Sequence, residues 1–292
     1  MIPFKFENHF QLPNIAQPTA KYKRFFSHKK AKVLCYLHSF LDIVVFCDRI
    51  TISCVESRWC IIYICGLQKL AMVDYPGKLA ATVFTGGCNL RCPFCHNALL
   101  VTRLSETPEI PQSEVLNFLS SRKKLLDGVV LTGGEPLMQP DAADFLRIVR
   151  NMGFAIKLDT NGCYPDRLAA LLAEGLVDYV AMDIKNSREK YAETVGIPGF
   201  DPIPVEESAR ILRSSGINYE FRTTLVRELH HPQDMVSIGQ WVGGAPNYYL
   251  QNFEDSGNLI QTGFHGFTPL ELQDFAALSA PFFGHVSIRG VD

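Results

Sequence analysis

The chain has 292 residues, 28 of them basic and 30 acidic, for a formal net charge of −2. That balance leaves no basic surplus to hold nucleic acid or an anionic membrane surface. A hydrophobic content of 47% with 20% charged residues suits a globular protein with a sizeable core rather than a disordered chain.

Residues 1–65 show no clear period and no helix cap leading into an amphipathic run, and they carry odd clusters such as Phe25-Phe26-Ser27-His28-Lys29-Lys30. The apolar stretch 33–47 is broken by His38 and Asp42, and it falls short of the roughly 18 clean apolar residues a membrane helix needs. The start lacks the basic, apolar and small-residue order of a signal peptide. No membrane partner is therefore expected, and the location is read as cytoplasmic. Because nothing in 1–65 agrees across levels as foldable sequences do, we read it as an atypical N-terminal extension. An over-long start outside the native coding sequence is favoured over a small accessory or membrane-touching domain. The main domain is expected over 66–292.

From Gly66 onward the pattern becomes regular. Short apolar runs at 80–85, 129–132, 155–159, 179–184, 219–226 and 248–253 read as buried strands. Helical patterns lie between them: one capped by Ser113, one opening at Asp141, one led by Asp166 and stopped by Gly175, and others at 204–215, 232–242 and 269–279. Repeated strand–helix alternation means parallel strands joined by right-handed crossovers. The expected fold is α/β, either a partial (β/α)6 barrel or an open doubly wound sheet, with chemistry at the C-terminal ends of the strands. Small and polar residues do follow every strand: Thr85-Gly86-Gly87-Cys88, Gly133-Gly134-Glu135-Pro136, Asp159-Thr160-Asn161-Gly162, Asp183-Ile184-Lys185, Arg222 with Thr224, and Gln251-Asn252. One shared site is the economical reading.

Nine cysteines, an odd number irregularly spaced, do not form a secreted disulfide framework. Cys88, Cys92 and Cys95 stand as C-x3-C-x2-C, and thiolates are soft ligands for iron–sulfur clusters, zinc or cuprous copper. Structural zinc wants four protein ligands, whereas only three cysteines are here, His96 is poorly placed beside Cys95, and no C-x2-C partner follows. An iron–sulfur cube usually takes four cysteines; three leave one iron open, which marks a catalytic site. Three packed core cysteines, or zinc completed by a distant ligand, are the bland alternatives. The pair His230-His231 lacks metal-ligand spacing and reads as loop, and Cys163 reads as a buried apolar residue.

The trio, with Phe94 before its last cysteine and Gly-Gly-Glu-Pro at the next strand, resembles the radical S-adenosylmethionine (SAM) superfamily. The segments Gly66-Leu67-Gln68-Lys69, Asp74-Tyr75-Pro76-Gly77-Lys78, Thr82 to Asn89 and Cys95-His96-Asn97 look more particularly like the anaerobic ribonucleoside-triphosphate reductase activating proteins, within the glycyl-radical-enzyme activases. The resemblance implies a partial barrel of radical SAM type. It implies a [4Fe–4S] cluster on Cys88, Cys92 and Cys95 whose fourth iron chelates SAM, and reductive cleavage to a 5′-deoxyadenosyl radical. It implies SAM contacts from Gly133, Gly134, Glu135, Asp159, Asn161, Asp183, Lys185 and Arg222, with Phe94 and His96 near the adenine. It further implies a monovalent cation held by Asp159, Thr160 and Asp183. The implied partners are an anaerobic ribonucleotide reductase as protein substrate and a flavodoxin-like or ferredoxin-like reductant. An activase of another glycyl radical enzyme, of pyruvate formate-lyase type, and a small-molecule radical SAM enzyme remain the alternatives, as does a cluster-binding module without turnover.

Overall fold

The computed structural model describes residues 62–290 in full, together with the backbone of five short strands before them. The chain divides into two compact units, Met1–Trp59 and Cys60–Asp292. In the first, β1 (Ser27–His28) pairs antiparallel with β2 (Ala31–Lys32), and β3 (Leu34–His38), β4 (Asp42–Cys47) and β5 (Ile50–Ile52) form an antiparallel meander. The sequence reading put no element here. The run Ile43-Val44-Val45-Phe46 has strand propensity without alternation, so a search for period passes over it. Whether this segment is native coding sequence lies outside the described residues.

The second unit is built on one eight-stranded sheet. It opens with β6 (Ile64–Ala71), then β7 (Ala80–Thr85), β8 (Gly128–Gly133), β9 (Ala155–Thr160), β10 (Tyr179–Asp183), β11 (Asn218–Leu225), β12 (Asn247–Asn252) and β13 (His285–Arg289). Strands β7 to β13 are all parallel and lie in chain order, whereas β6 runs antiparallel along the outer side of β7. Chain order with parallel pairing is the winding of a barrel; β6 and β13 each pair on one side only, so the barrel is open.

The six expected strands are present within a residue or two of their expected bounds, and the sheet gains β6 and β13 at its edges. The edges were missed because β6 has three consecutive exposed residues in its middle and β13 is partly exposed throughout; half-wet strands lack the apolar run that marks a buried one. The main unit also begins before Gly66, since Ile62 and Ile64 are buried in its core.

Helices α1 (Ala98–Thr102), α2 (Gln112–Ser121), α3 (Ala142–Asn151), α4 (Pro165–Ala173), α5 (Tyr191–Thr194), α6 (Ile203–Ser215), α7 (Pro232–Val242) and α8 (Pro269–Ser279) fill the connections. Ser113 lies inside α2 rather than capping it, and Asp166 sits in the first turn of α4 behind Pro165. In both helices a proline takes the start: Pro111 immediately before α2 and Pro165 as the first residue of α4, where its missing N–H costs nothing. Gly175 ends α4 as expected, with φ +65 in the left-handed region that favours glycine. Among the described residues no helix is long and apolar enough to cross a membrane.

Helix α3 shows how the layers join. Ala142, Phe145, Leu146 and Val149 recur at i, i+3, i+4 and i+7 and are all buried, so one stripe faces the sheet. Val129 and Leu131 of β8 are fully buried in the same core cluster. Phe145→Ala should remove about 3–5 kcal/mol of stability, read as a lowered urea midpoint at unchanged slope.

Candidate functional site

The parallel strands bring their C-terminal ends to one side, and the loops there enclose a cavity of about 270 Å³. The loop after β7 carries Cys88, Cys92 and Cys95, and all three line this cavity. It is pinned from several directions. Arg91 N–H donates to Val195 O at 2.9 Å, Gly87 N–H to Leu100 O at 2.7 Å, and Asn97 Nδ2 to Gly133 O at 2.9 Å. Buried Leu90 and Phe94 anchor the loop, Phe94 edge-on to Phe253 and Phe264. The loop after β12 lies over it, with Gln261 N–H donating to Pro93 O at 2.9 Å.

Gly133 and Gly134 are required by close approach. A Cβ on Gly133 would sit 2.2 Å from Thr85 N, and one on Gly134 1.9 Å from Gly87 O. Without side chains the backbones zip together: Gly134 N–H donates to Thr85 O at 2.9 Å and Glu135 N–H to Gly87 O at 2.8 Å. The Gly-Gly-Glu-Pro loop thereby holds the residue just before Cys88.

Glu135 lies behind the cavity wall. It is fully buried and is not among the cavity's lining residues. Its carboxylate accepts from Leu137 N at 2.9 Å, Thr160 Oγ1 at 2.8 Å and Asn161 N at 2.7 Å. It braces the loops after β8 and β9. Burial pushes its carboxyl up to about 7 against the pull of those three donors.

The aspartates sit in an ion network. Arg222 Nε donates to Asp183 Oδ1 at 2.9 Å and its Nη1 to Asp159 Oδ2 at 3.1 Å. Lys157 Nζ donates to the other oxygen of Asp159, and Lys185 Nζ to Asp183 Oδ2 at 2.9 Å. The side chains of Arg222 and Asp159 are only 13% and 16% exposed. Thr160 Oγ1 is turned to Glu135. Asp159, Thr160 and Asp183 all line the cavity, with the aspartate oxygens paired to Arg222, Lys157 and Lys185.

Burial raises Asp183, but Arg222 and Lys185 outweigh it and hold the carboxyl down at about 2. Asp159 is likewise lowered, Arg222 and Lys157 winning over burial. Lys157 was missed from the sequence. The signal was available, since Lys157 and Asp159 are two apart on one strand and so share a face.

His230 lies in the loop after β11, as expected, and is buried. Its Nδ1 accepts from Val226 N–H at 3.1 Å, so the proton sits on Nε2, which donates to Lys185 O at 2.8 Å. It fixes the backbone that carries Lys185.

The cavity wall thus gathers Phe94, His96, Gly133, Gly134, Asp159, Thr160, Asn161, Asp183, Lys185 and Arg222 around the three thiols. His96, exposed at the rim, stacks on Phe253 with ring centroids 5.2 Å apart.

Against known proteins, the model of the radical SAM superfamily matches residues 82–236. The chain belongs to the radical SAM superfamily. Radical SAM relatives include a protein of Methanocaldococcus jannaschii named for glycyl-radical enzyme activation, 33% identical over 193 residues, 65% of this chain and 79% of that one. The pyruvate formate-lyase-activating enzyme of Staphylococcus aureus is 31% identical over 200 residues, 64% of this chain and 77% of its own. The 7-carboxy-7-deazaguanine synthase of Methanopyrus kandleri is 35% identical over 130 residues, 38% of this chain and 51% of its own. In fold, the structure of Streptococcus suis SuiB bound to S-adenosylmethionine superposes with a TM-score of 0.55 at 13% identity, covering 70% of this chain and 48% of that one.

This is a radical SAM enzyme homologous to glycyl-radical-enzyme activating enzymes, and the superfamily uses a [4Fe–4S] cluster and SAM. The donor set fits such a cluster. Three thiols line one cavity, and cysteine thiolates are the usual ligands of iron–sulfur clusters. Burial pushes the thiols up, Cys88 to about 11 and Cys92 to about 12, so ligation must displace their protons.

Two outcomes follow from the ion network. Arg222→Met leaves two buried carboxylates without their shared cation and should cost about 3–5 kcal/mol in denaturant unfolding; Arg222→Lys should restore only part, since an ammonium cannot fork to both. Asp183 is lowered in the folded state from 3.8 to about 2, so its contribution is complete above about pH 4 and is lost as pH falls toward 2. Asp183→Asn should flatten that part of the stability–pH curve, measured by urea unfolding across it.

Proposed function

We propose that the chain activates a glycyl radical enzyme, taking a hydrogen atom from a glycine Cα of a protein partner, and that the partner is an anaerobic ribonucleoside-triphosphate reductase. The observation that carries the reading is the convergence of three thiols, a two-glycine strand end and the buried ion network of Lys185, Arg222, Asp159 and Asp183 on a single cavity.

In this reading Cys88, Cys92 and Cys95 hold three irons of the cluster. When bound, cluster and SAM together supply one-electron reductive cleavage of a carbon–sulfur bond and hence a hydrogen-abstracting radical. The chain's own residues bind, orient and shield. Lys185 and Arg222 line the cavity, balanced there by Asp159 and Asp183, and their N–H groups suit the SAM carboxylate. The backbone of Gly133 and Gly134 lines the cavity and offers carbonyl oxygens to the ammonium. Phe94 and His96 offer ring surface for the adenine, and the loop covering Pro93 limits water on that side. Glu135 acts as a positioning residue, tying two strand ends together.

The open sheet edge supports a macromolecular substrate. The choice of a ribonucleotide reductase rests on the segments 66–69, 74–78 and 82–89. A pyruvate formate-lyase type partner is the second reading, supported by the identity with the Staphylococcus aureus activase.

Reduced, reconstituted protein mixed with SAM and each candidate partner should yield a glycyl-radical EPR doublet with one of them. SAM cleavage with neither would defeat the activase reading. Alanine at Cys88, Cys92 or Cys95 should each prevent formation of the brown [4Fe–4S] chromophore, whereas Cys163→Ala should retain it.

A further inference from the structure

Asn161 was expected to touch SAM. Its surroundings point to a different task. The residue is 5% exposed and every polar atom of its side chain has a partner. Cys163 N–H donates to Oδ1 at 3.0 Å. Because a backbone N–H can only donate, the atom facing it must be the oxygen, and the amide cannot be flipped. Nδ2 is therefore fixed on the opposite side, where its two protons go to Asn89 Oδ1 at 2.9 Å and to Cys88 Sγ at 3.7 Å. The backbone of Asn161 is held in turn, its N–H donating to Glu135 Oε2 at 2.7 Å.

Cys88 Sγ receives a second donor, Leu90 N–H at 3.4 Å. Cys95 receives one, from the backbone of Asn97. Among the described residues no hydrogen bond reaches Cys92. The three sulfurs are thus unequally solvated by the protein, and Asn161 is the side chain that gives Cys88 one of its two donors.

We propose that Asn161 tunes the reduction of the cluster by donating an N–H to the sulfur of Cys88. Adding an electron to the cube increases the negative charge on its thiolate sulfurs. A fixed donor at one of them stabilises the reduced state more than the oxidised one, so it raises the potential. The electron comes from an external low-potential reductant, and no bond to Asn161 forms or breaks. Glu135 and Cys163 N–H act through Asn161 by setting where its amide points. The inference rests on the cluster ligation proposed above and adds a role for a residue outside the ligand set.

The test is an EPR-monitored dithionite titration of the reconstituted full chain, without partner protein. At the wild-type midpoint, Asn161→Ala should lower the ratio of reduced to oxidised cluster about three- to tenfold, a midpoint lower by about 30–60 mV at 59 mV per tenfold for one electron. Asn161→Asp should lower it further, since a carboxylate then faces the sulfur. Asn89→Ala removes the other acceptor but leaves the N–H on Cys88, so its midpoint should not fall. Iron and sulfide content in all three should match wild type. A midpoint indifferent to Asn161→Ala, or lowered equally by Asn89→Ala, overturns this inference alone. A wild-type chain that takes up no cluster overturns both it and the ligation reading.

Discussion

Glu135 accepts three hydrogen bonds in a place where water does not reach: from the turn that follows it, from Thr160 Oγ1 and from Asn161 N–H. A buried carboxylate with unmet lone pairs would cost several kcal/mol, so the loops after β8 and β9 are held where they can satisfy it. Glu135 N–H meanwhile donates to Gly87 O, immediately before Cys88. One residue thereby ties three consecutive strand ends, and the cysteine loop inherits its position from that tie. The glycines at 133 and 134 serve the same contact, since any side chain there would drive the backbones apart.

Deeper in the barrel the balance is electrostatic. Arg222 on β11 reaches Asp183 on β10 and Asp159 on β9, and lysines on β9 and beyond β10 take the remaining oxygens. Strands that must remain parallel and adjacent are thus cross-linked by charges that cannot be separated cheaply in a dry interior. Parallel pairing supplies the register: Asp183 lies beside Arg222, and Ala181 beside Asp159. The network stiffens the floor of the cavity and sets its two cations, Lys185 and Arg222, beside the thiols, so stability and the charge pattern of the wall come from the same side chains.

Enzymes of this superfamily use a [4Fe–4S] cluster and SAM. The chain contributes little to that chemistry beyond geometry, charge and exclusion of water. Its distinctive contributions lie just outside the ligands: the amide of Asn161 beside Cys88, the imidazole of His230 under Lys185, and the aromatic contacts of Phe94 with Phe253 and Phe264.

Much of this was legible beforehand for identifiable reasons. Buried parallel strands are continuous apolar runs, so β7 to β12 stood out, and the winding rule sent the polar motifs after them to one end. The thiol spacing carried the chemistry of the ligands by itself, because three soft donors within eight residues have few other uses. Half-exposed edges such as β6 and β13 left no comparable signal. Nor could sequence decide what each polar residue faces. Glu135 and Thr160 sit in a motif that reads as ligand-binding, yet their oxygens are spent on each other, and Asp159 and Asp183 are spent on Arg222, Lys157 and Lys185. Residue type and spacing determine which groups arrive at the strand ends. Only packing in three dimensions decides which of them bond one another and which remain turned to the cavity, because a buried polar atom takes whichever partner the neighbouring strand brings within reach.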